Sequence, residues 1–305
     1  METQVHIFQK LRKVFRGEIL INEPLSKHTS FRIGGPADMF LYPKDMEDLS
    51  ALVDFSRREG IPFFVIGNGS NLLISDDGFR GMVLSLAETF AHINCKGYTL
   101  TAGAGVPMSD LLRYCTERGL SGFEPLVGIP GQVGGMLRLN AGAFGSEICD
   151  HLKSVHLLDS FGIFEKRSRE DITVGYRYAD FPNNAVLVEA QFFLAEGNPK
   201  EMEALQNKWF AERKKKQPLS LPSAGSVFKR PPGDYAGRLI EEAGCKGLRI
   251  GDAMVSKKHA NFIVNCHFAS AQDVLRLMDE VRNRVLKRFG IELSPEIHMI
   301  GFNER

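Results

Sequence analysis

Glycine is concentrated in one stretch of the chain, and this stretch limits what the surrounding fold can be. Positions 128–145 read GIPGQVGGMLRLNAGAFG and hold six glycines, whereas 30 glycines in 305 residues would place about two in a stretch of that length. Glycine has no Cβ, so its backbone can adopt positive φ and come close to a ligand. Such an approach suits an anion, for example the pyrophosphate of a dinucleotide. The alternative is a set of tight turns between strands.

A second glycine loop favours the ligand interpretation over simple turns. The apolar run at 61–66 predicts a strand, and it leads directly into GNGSNLL at 67–73. A strand followed by a glycine turn with polar side chains predicts a loop that cradles an anion. It is not the dinucleotide fingerprint, because the third glycine and the following helix are missing, and no Walker lysine follows.

Composition excludes several classes of partner. The chain has 38 Lys and Arg against 37 Asp and Glu, a net charge of +1, so neither nucleic acid nor an acidic membrane is expected as a bulk partner. The five cysteines are odd in number and lack zinc-site spacing, so we expect reduced thiols and no bound metal. The N-terminal segment has no apolar run long enough for a signal peptide or a membrane span, which predicts a cytoplasmic protein.

Hydrophobic periodicity predicts helices that alternate with strands. The helices are expected at 5–15, 45–59, 107–118, 198–215, 235–243 and 271–288. The strands are expected at 31–33, 39–41, 61–66, 82–86, 185–196, 261–265 and 297–300, with hairpins turning at 96–97 and 160–162. Asp45 is the expected N-cap of the second helix, and Ser270 with Asp273 the capping box of the last. Met202, Leu205 and Trp209 are the expected apolar face of the helix at 198–215.

A basic run, RKKK at 213–216, ends the predicted helix at 198–215. Cations at a helix C-terminus complement the helix dipole, so a solvated helix end is one interpretation. The other is electrostatic contact with a diphosphate, since the run stands just before the serine-containing segment LPSAGSVFKRP.

Seven segments, in order along the chain, match the motifs of one enzyme family. They are KHTSFRIGGPAD, GNGSNLL, GIPGQVGG with NAGAFG, GYRYADF, PSAGSVFKRP, KHANFIVN and PEIHMIG. One such match is weak evidence, whereas seven in register over nearly the whole length are specific. The chain therefore resembles the UDP-N-acetylenolpyruvoylglucosamine reductase (MurB) family, flavoenzymes of peptidoglycan synthesis.

The resemblance implies an α+β architecture. It implies an FAD-binding fold of the vanillyl-alcohol-oxidase (PCMH) type made of two α+β subdomains, placed here at 1–85 and 86–197, and a C-terminal α+β substrate-binding domain at 198–305. Arg177 and Ser226 are 49 positions apart, nearly all used by one predicted strand and one helix. This leaves no room for the substrate-covering insertion of the family's first type, so the second type is expected.

The resemblance also implies the ligands. FAD is bound non-covalently and is reduced by NADPH, and its N5 then delivers hydride to C3 of the enolpyruvyl group of UDP-N-acetylglucosamine enolpyruvate. The positions that match the family's FAD contacts are Arg32, Gly67, Asn68, Gly69, Ser70, Asn71, Leu72, Gly128, Gly131, Gly134, Gly135, Asn140 and Ala141. Judged by residue type alone, His28 and Arg32 are more often structural. The expected substrate-binding residues are Lys216, Lys229 and Asn261.

Three residues match the family's catalytic positions. Arg177 in GYRYADF and Glu296 in PEIHMIG are expected at the substrate carboxylate, and Ser226 in SAGSVFK is expected to supply the proton at C2. Hydride addition builds enolate charge on the carboxylate, and a planar guanidinium stabilises that charge as it develops. Serine is a poor acid, so the cation of Lys229 is expected to ease transient alkoxide formation. Without the motif context, all three catalytic candidates would be read as ordinary surface or turn residues.

Two other classes of function remain open. One is another FAD-dependent oxidoreductase of the same fold with a different small substrate, against which the absence of a covalent flavin attachment motif argues. The other is a catalytically silent nucleotide-binding module, against which the intact set of Arg177, Ser226 and Glu296 argues. We expect a monomer that acts on a small molecule, with neither nucleic acid nor membrane as partner.

Overall fold

The computed structural model describes residues 2–302, with side chains from His6 onward. Within this range the chain forms seven α-helices: α1 (Glu2–Leu11), α2 (Met46–Glu59), α3 (Met108–Glu117), α4 (Val133–Arg138), α5 (Pro199–Lys216), α6 (Ala236–Glu242) and α7 (Ala271–Phe289). None of the helices described between residues 2 and 302 is long and apolar enough to cross a membrane.

The strands of the described range are short, and most belong to antiparallel pairs. They are β1 (Glu18–Pro24), β2 (Pro36–Tyr42), β3 (Phe63–Ile66), β4 (Leu72–Ile74), β5 (Phe79–Ser85), β6 (Ile93–Lys96), β7 (Thr99–Gly103), β8 (Leu120–Ser121), β9 (Gly142–Ala143), β10 (Ser146–Glu147), β11 (Leu152–Leu158), β12 (Phe164–Ser168), β13 (Val174–Gly175), β14 (Tyr178–Ala179), β15 (Val186–Phe193), β16 (Ala195–Glu196), β17 (Ser223–Ser226), β18 (Arg249–Ile250), β19 (Ala253–Val255), β20 (Phe262–Asn265) and β21 (His298–Ile300).

The chain divides into two compact units. The first comprises the residues up to Ile21, then Asp38–Gly67 and Gly81–Ala211. The second comprises Asn22–Ala37, Asn68–Arg80 and the residues from Glu212 onward, so three separate stretches of sequence build it. The boundaries expected at 85 and 197 remain a prediction.

Two larger sheets give the first unit its framework. One, which lies mainly in this unit, has the order β1-β2-β5-β3, with β3 and β5 parallel. The other has the order β12-β11-β15-β7-β6 and is antiparallel. Leu111 of α3 and Leu137 of α4 are buried in the same cluster as Phe192 of β15. This packing fixes the start of α4, and with it the glycine-rich segment, against the five-stranded sheet.

The second unit is built around a four-stranded sheet of order β17-β20-β19-β18 and the long helix α7. As predicted, positions 274, 277, 281 and 285 of α7 are buried. The predicted capping box is also confirmed: the Ser270 hydroxyl accepts from the Asp273 N–H at 3.0 Å, and the Asp273 carboxylate accepts from the Ser270 N–H at 3.1 Å. A separate parallel pair joins β21 to β4 in the same unit.

Other local predictions are confirmed as well. Asp45 caps α2 by accepting from the Asp48 N–H at 2.9 Å, and Gly60 ends the helix with φ of 66°. The hairpins turning at 96–97 and 160–162 form as β6–β7 and β11–β12. All five cysteines are free thiols. Burial raises the pKa of Cys115 to about 12, which keeps that thiol protonated and unreactive.

Three local predictions were wrong. The first helix ends at Leu11, and Phe15 reaches the core from the turns that follow, because apolar spacing alone does not separate a last helical turn from a buried loop. Phe31 and Ile33 are buried in a loop and form no strand, since the backbone at Arg32 has φ of 57°. Leu205, expected on the apolar face of its helix, is 38% exposed.

Asp48 is a buried carboxylate that ties the segment before β1 to α2. It is 1% exposed and accepts the Arg16 N–H at 3.0 Å, the Arg16 Nε–H at 3.1 Å and the Lys44 N–H at 3.0 Å. Burial by itself would raise the pKa of Asp48, but these hydrogen bonds and the Arg16 charge outweigh it and hold the pKa below its ordinary value.

We therefore expect Asp48→Asn to lower the free energy of unfolding by on the order of 1–3 kcal/mol near neutral pH. A carboxylate with a depressed folded-state pKa stabilises the protein above its unfolded-state pKa, about 3.9, and this stability is lost as pH falls through the folded-state value. The difference between wild type and variant in urea unfolding should shrink from about pH 7 to about pH 3.

The matched control for this experiment is Asp54→Asn on the same helix. Asp54 pairs with Arg57 at 2.7 Å and with Arg58 at 2.8 Å in a partly exposed position, so its loss should cost less than about 1 kcal/mol. An equal loss for Asp48→Asn at both pH values would show that the charge of Asp48 does not contribute.

Candidate active site

In the second unit, the loop that follows Gly67 packs on residues 28–30. Gly69 has φ of 55°, and a Cβ there would overlap the His28 carbonyl oxygen and the backbone of Thr29. The Ser30 N–H donates to the Gly69 carbonyl at 3.3 Å. Glycine at 69 is therefore required by packing within the protein as well as by its positive φ.

Ser226 lies at the end of β17, beside this loop. The pairing of β17 with β20 shifts register between Ser223 and Ser226, and Gly225 has φ of 78°. The Ser30 hydroxyl donates to the Ser223 carbonyl at 2.7 Å, and the Ser70 carbonyl oxygen lies 3.9 Å from the Cβ position of Gly225. The irregular strand end thus holds Ser226 next to the polar loop at 68–71.

Glu296 is joined to both the serine segment and the loop. Its N–H donates to the Val227 carbonyl at 2.7 Å, and its own carbonyl accepts from the Asn71 Nδ2 at 3.1 Å. The His298 N–H donates to the Asn71 carbonyl at 2.9 Å, which begins the parallel pairing of β21 with β4. Glu296 and Asn71 are therefore joined by one hydrogen-bond network to Val227, the neighbour of Ser226, in the second unit.

Asn261 acts on the backbone of the serine segment. The residue is 7% exposed, its Oδ1 accepts from the Phe228 N–H at 3.0 Å, and its Nδ2 donates to the Phe228 carbonyl at 2.8 Å. Its backbone carbonyl accepts from the Val227 N–H at 2.8 Å. These bonds fix the segment between Ser226 and Lys229; the expected substrate contact of Asn261 remains a prediction.

The three expected cationic residues of this unit are exposed. Lys229 donates its N–H to the Ser294 carbonyl at 2.9 Å, and Lys216 pairs with Glu212 at 3.0 Å in the last turn of α5. Arg32 has φ of 57°, and its N–H donates to the Thr29 carbonyl at 3.1 Å. Exposed side chains in these places are accessible to an anionic ligand.

Sequence reasoning missed His298 as a member of this group. It stands two positions after Glu296 and begins β21, and its N–H donates to the Asn71 carbonyl. Partial desolvation of the imidazole, together with the positive charge of Lys229, lowers the pKa of His298. Its place in the PEIHMIG segment, two positions after Glu296, was the signal that could have identified it.

In the first unit, the glycine-rich segment pairs with residues 104–108. The Met108 N–H donates to the Gly131 carbonyl and the Gly134 N–H to the Ala104 carbonyl, both at 2.9 Å. A Cβ on Gly134 would lie 2.9 Å from the Ala104 Cβ, so this glycine is needed for packing. The Gln132 Oε1 lies 3.1 Å from the Cβ position of Gly67, the residue at the start of the second predicted glycine segment.

The same segment has room for a cofactor. Gly135 is exposed, and a Cβ added there would meet nothing within 4 Å. Gly128 has φ of 75°, a conformation that favours glycine. Ala141 follows the end of α4, and its N–H donates to the Met136 carbonyl at 2.8 Å. Gly134 is packed against Ala104, whereas the backbone at Gly135 is uncovered. A large anionic group such as FAD can therefore approach the backbone at Gly135.

Arg177 lies in the first unit, in the two-residue turn of the hairpin β13–β14. It is half-buried with φ of 54°, its Nη2 donates to the Gly142 carbonyl at 3.2 Å, and its guanidinium lies 5.1 Å from the centre of the Tyr176 ring. The hairpin thus places Arg177 at the end of the glycine-rich segment, next to Asn140 and Ala141.

The expected site residues fall into two groups. The first unit holds Gly67, Gly128, Gly131, Gly134, Gly135, Asn140, Ala141 and Arg177. The second unit holds Arg32, Asn68, Gly69, Ser70, Asn71, Leu72, Lys216, Ser226, Lys229, Asn261 and Glu296. Each residue's expected role remains a prediction.

Two family models match the chain. One, an FAD binding domain, matches residues 37–166, and the other, the C-terminal domain of UDP-N-acetylenolpyruvoylglucosamine reductase, matches residues 217–300. Together they cover the glycine segments and the region from β17 to β21.

Individual proteins are similar over nearly the full length. The UDP-N-acetylenolpyruvoylglucosamine reductase of Lachnoclostridium phytofermentans is 44% identical, covering 97% of each chain, and that of Clostridioides difficile is 41% identical, covering 99% of each. The crystal structure of the Thermus caldophilus enzyme superposes with a TM-score of 0.81 at 37% identity, covering 93% of this chain and 99% of that one.

These findings confirm the predicted fold class, an α+β FAD-binding fold of the vanillyl-alcohol-oxidase type with a C-terminal α+β domain. Between Arg177 and Ser226 the chain forms β14, β15, β16, α5 and β17. These elements agree with the expected second type of the family. By its full-length relatives, its matching domains and its fold, the chain belongs to the UDP-N-acetylenolpyruvoylglucosamine reductase (MurB) family.

Proposed function

We propose that the protein reduces the enolpyruvyl group of UDP-N-acetylglucosamine enolpyruvate to give UDP-N-acetylmuramate in peptidoglycan synthesis, with NADPH as the reductant. Membership of the family supports this reaction. The observation that carries it is the network that joins the serine segment to Glu296 through the Val227 carbonyl and to the glycine loop through Asn71. No observation favours the alternative, a flavin oxidoreductase of this fold with another small substrate.

FAD, held non-covalently by residues of the two glycine segments, supplies hydride transfer from NADPH to the substrate. In the first unit, Gly135 offers open space and Gly128 a positive φ for such a group. In the second, the proposed contacts come from the polar loop at 68–72. The chain's own residues then bind and orient the substrate and move the proton.

Arg177 and Glu296 are the proposed partners of the substrate carboxylate. As negative charge grows on that carboxylate, the fixed guanidinium of Arg177 stabilises it with two parallel N–H donors. Arg177 is held at φ of 54°, a conformation that costs free energy in a residue other than glycine. An arginine at a position where glycine would cost less supports a role for its side chain. Glu296, anchored through its backbone, is proposed to orient the carboxylate or a water molecule.

Ser226 is the proposed proton donor to C2 of the substrate. A basic carbanionic carbon can take the hydroxyl proton, and a nearby cation lowers the free energy of the alkoxide that remains. We assign that cation to Lys229, three positions further along the same segment, whose charge also acts on His298. Asn261 keeps this segment in place through the Phe228 backbone.

The basic run at 213–216 is the proposed contact of the substrate diphosphate. Lys216 is exposed at the end of α5 and forms an ion pair with Glu212. We also propose that the protein is a monomer and that it is located in the cytoplasm.

The cofactor proposal predicts a yellow protein and a specific effect of Gly135→Ala. Alanine at a helical glycine should leave the apoprotein as stable as wild type or up to about 1 kcal/mol more stable. If FAD fills the open space, the new methyl group should weaken FAD affinity by about tenfold or more, equivalent to about 1.4 kcal/mol. Flavin fluorescence quenching measures the affinity and thermal unfolding the stability.

Gly134→Ala provides the contrast, because its methyl group would press on Ala104 and destabilise the apoprotein itself. Wild-type FAD affinity in Gly135→Ala would remove this glycine from the cofactor site.

Ser226→Ala should separate the two half-reactions. Reduction of the cofactor by NADPH needs no proton at C2 and should keep a near-normal rate. Reoxidation by the enolpyruvyl substrate should slow by on the order of 10²- to 10⁴-fold, the usual effect of losing a positioned general acid. Stopped-flow absorbance of the flavin follows both steps, and Ser226→Cys should recover part of the second rate.

Ser223→Ala, the same change on the same strand, is the control and should keep both rates. Equal slowing of both steps in Ser226→Ala would indicate a disturbed strand, and a fast second step would exclude Ser226 as the donor.

Lys216→Met should raise the KM for the UDP substrate while leaving FAD affinity unchanged, since a diphosphate contact is made in the ground state and the transition state alike. Lys200→Met makes the same change near the other end of α5 and should not affect KM. If single substitutions throughout 213–216 leave KM unchanged, the run is a solvated helix end.

A further inference from the structure

The hairpin that carries Arg177 is too small to hold its own shape. It consists of β13 and β14, two residues each, with Gly175 paired to Tyr178 around the turn at 176–177. Even a longer isolated two-stranded hairpin is at best marginally stable in water. The direction of the Arg177 guanidinium must therefore be set by what the hairpin contacts.

The contact on the entry side of the turn comes from Asn140. This residue is 0% exposed, and its Nδ2 donates to the Gly175 carbonyl at 3.1 Å and also to the Glu147 carboxylate. Its Oδ1 accepts from the Cys149 N–H at 3.3 Å. A side-chain amide has two N–H donors, and both are used within the protein.

A second hydrogen bond runs in the opposite direction between the same segments. The Arg177 Nη2 donates to the Gly142 carbonyl, two residues after Asn140. The exit of the hairpin is held too, because Arg138 donates to the carbonyls of Phe181 at 3.3 Å, Pro182 at 2.8 Å and Ala185 at 2.5 Å. The segment 138–142 thus forms hydrogen bonds with the chain on both sides of the hairpin turn.

The strained backbone at Asn140 indicates that its side chain has a role. Asn140 has φ of 41°, a left-handed conformation that glycine would adopt at lower cost. Asparagine tolerates it better than most residues, but the gain must come from its side chain. The described contacts give that side chain one consistent task, which is to hold Gly175, Glu147 and Cys149.

We propose that Asn140 is a positioning residue for Arg177: its amide fixes the Gly175 carbonyl and thereby aims the guanidinium at the substrate carboxylate. The inference rests on the proposed role of Arg177. It differs from the FAD contact expected for Asn140, since a buried amide with both donors engaged has none left for the cofactor.

The test compares Asn140→Gly with wild-type holoenzyme. Glycine keeps the positive φ without strain and removes only the amide. Because a misplacement of about 1 Å can cost about 10²-fold in rate, reoxidation by the substrate should fall by on the order of 10²-fold. FAD affinity and the rate of reduction by NADPH should stay within about twofold of wild type, since neither step uses Arg177.

A readout independent of catalysis is hydrogen exchange. The amides of residues 174–179 should exchange faster in Asn140→Gly, because the hairpin loses its anchor. Asn22→Gly makes the same change at another asparagine of positive φ, 53°, in β1, and should leave the exchange of 174–179 and both rates unchanged.

Asn140→Asp is the second variant. Its carboxylate can still accept from the Cys149 N–H but cannot donate to Gly175, and it faces Glu147 with like charge. It should therefore fail to restore reoxidation. A wild-type reoxidation rate in either folded variant would overturn the proposal. Loss of FAD binding in both would also overturn it, because Asn140 would then belong to the cofactor site or serve folding alone.

Arg177→Ala separates this inference from the function on which it rests. A wild-type reoxidation rate in Arg177→Ala would overturn the role of Arg177 whatever the Asn140 variants show. A slow Arg177→Ala with a fast Asn140→Gly would overturn the positioning role only. If both roles hold, adding Asn140→Gly to Arg177→Ala should slow reoxidation by less than about twofold more, since the two changes remove one interaction.

Discussion

Irregular backbone needs hydrogen-bond partners that regular helices and strands would supply, and this requirement shapes the glycine-containing segments of each unit. In the second unit, the backbone carbonyls of Gly69 and Asn71 accept from the N–H groups of Ser30 and His298, residues far away in the sequence. In the first, the glycine-rich segment is satisfied by residues 104–108. Loops that could bind an anion are thereby held in fixed positions, which reduces the ordering cost of binding.

Strained backbone is concentrated in the segments of proposed function. Among the residues described, five other than glycine have positive φ, and Arg32, Asn140, Phe144 and Arg177 are four of them. Each such conformation costs on the order of 1 kcal/mol and persists only where surrounding contacts enforce it. The hairpin of Arg177 is anchored by Asn140, which itself makes three side-chain hydrogen bonds, so the strain and the contacts that offset it belong to the same local network.

Buried amides serve the backbone in both units. Asn261 bonds the two polar groups of Phe228, and Asn140 bonds Gly175 and Cys149. Removing either side chain would leave buried polar groups without partners, which is more costly than losing an exposed contact. Residues that look like ligand contacts in a motif can therefore act one step away, by holding the residue that makes the contact.

The sequence by itself determined the elements whose causes are local: the caps of α2 and α7, the hairpin turn at 96–97, the two glycine segments and the order of motifs that identified the family. The tertiary structure decided that Phe31 and Ile33 are buried in a loop, that His298 bonds to the Asn71 carbonyl, and that Asn140 and Asn261 hold backbone 35 and 33 positions away. The local sequence shows which groups can form hydrogen bonds. Which donor meets which acceptor depends on segments that only the folded chain brings together.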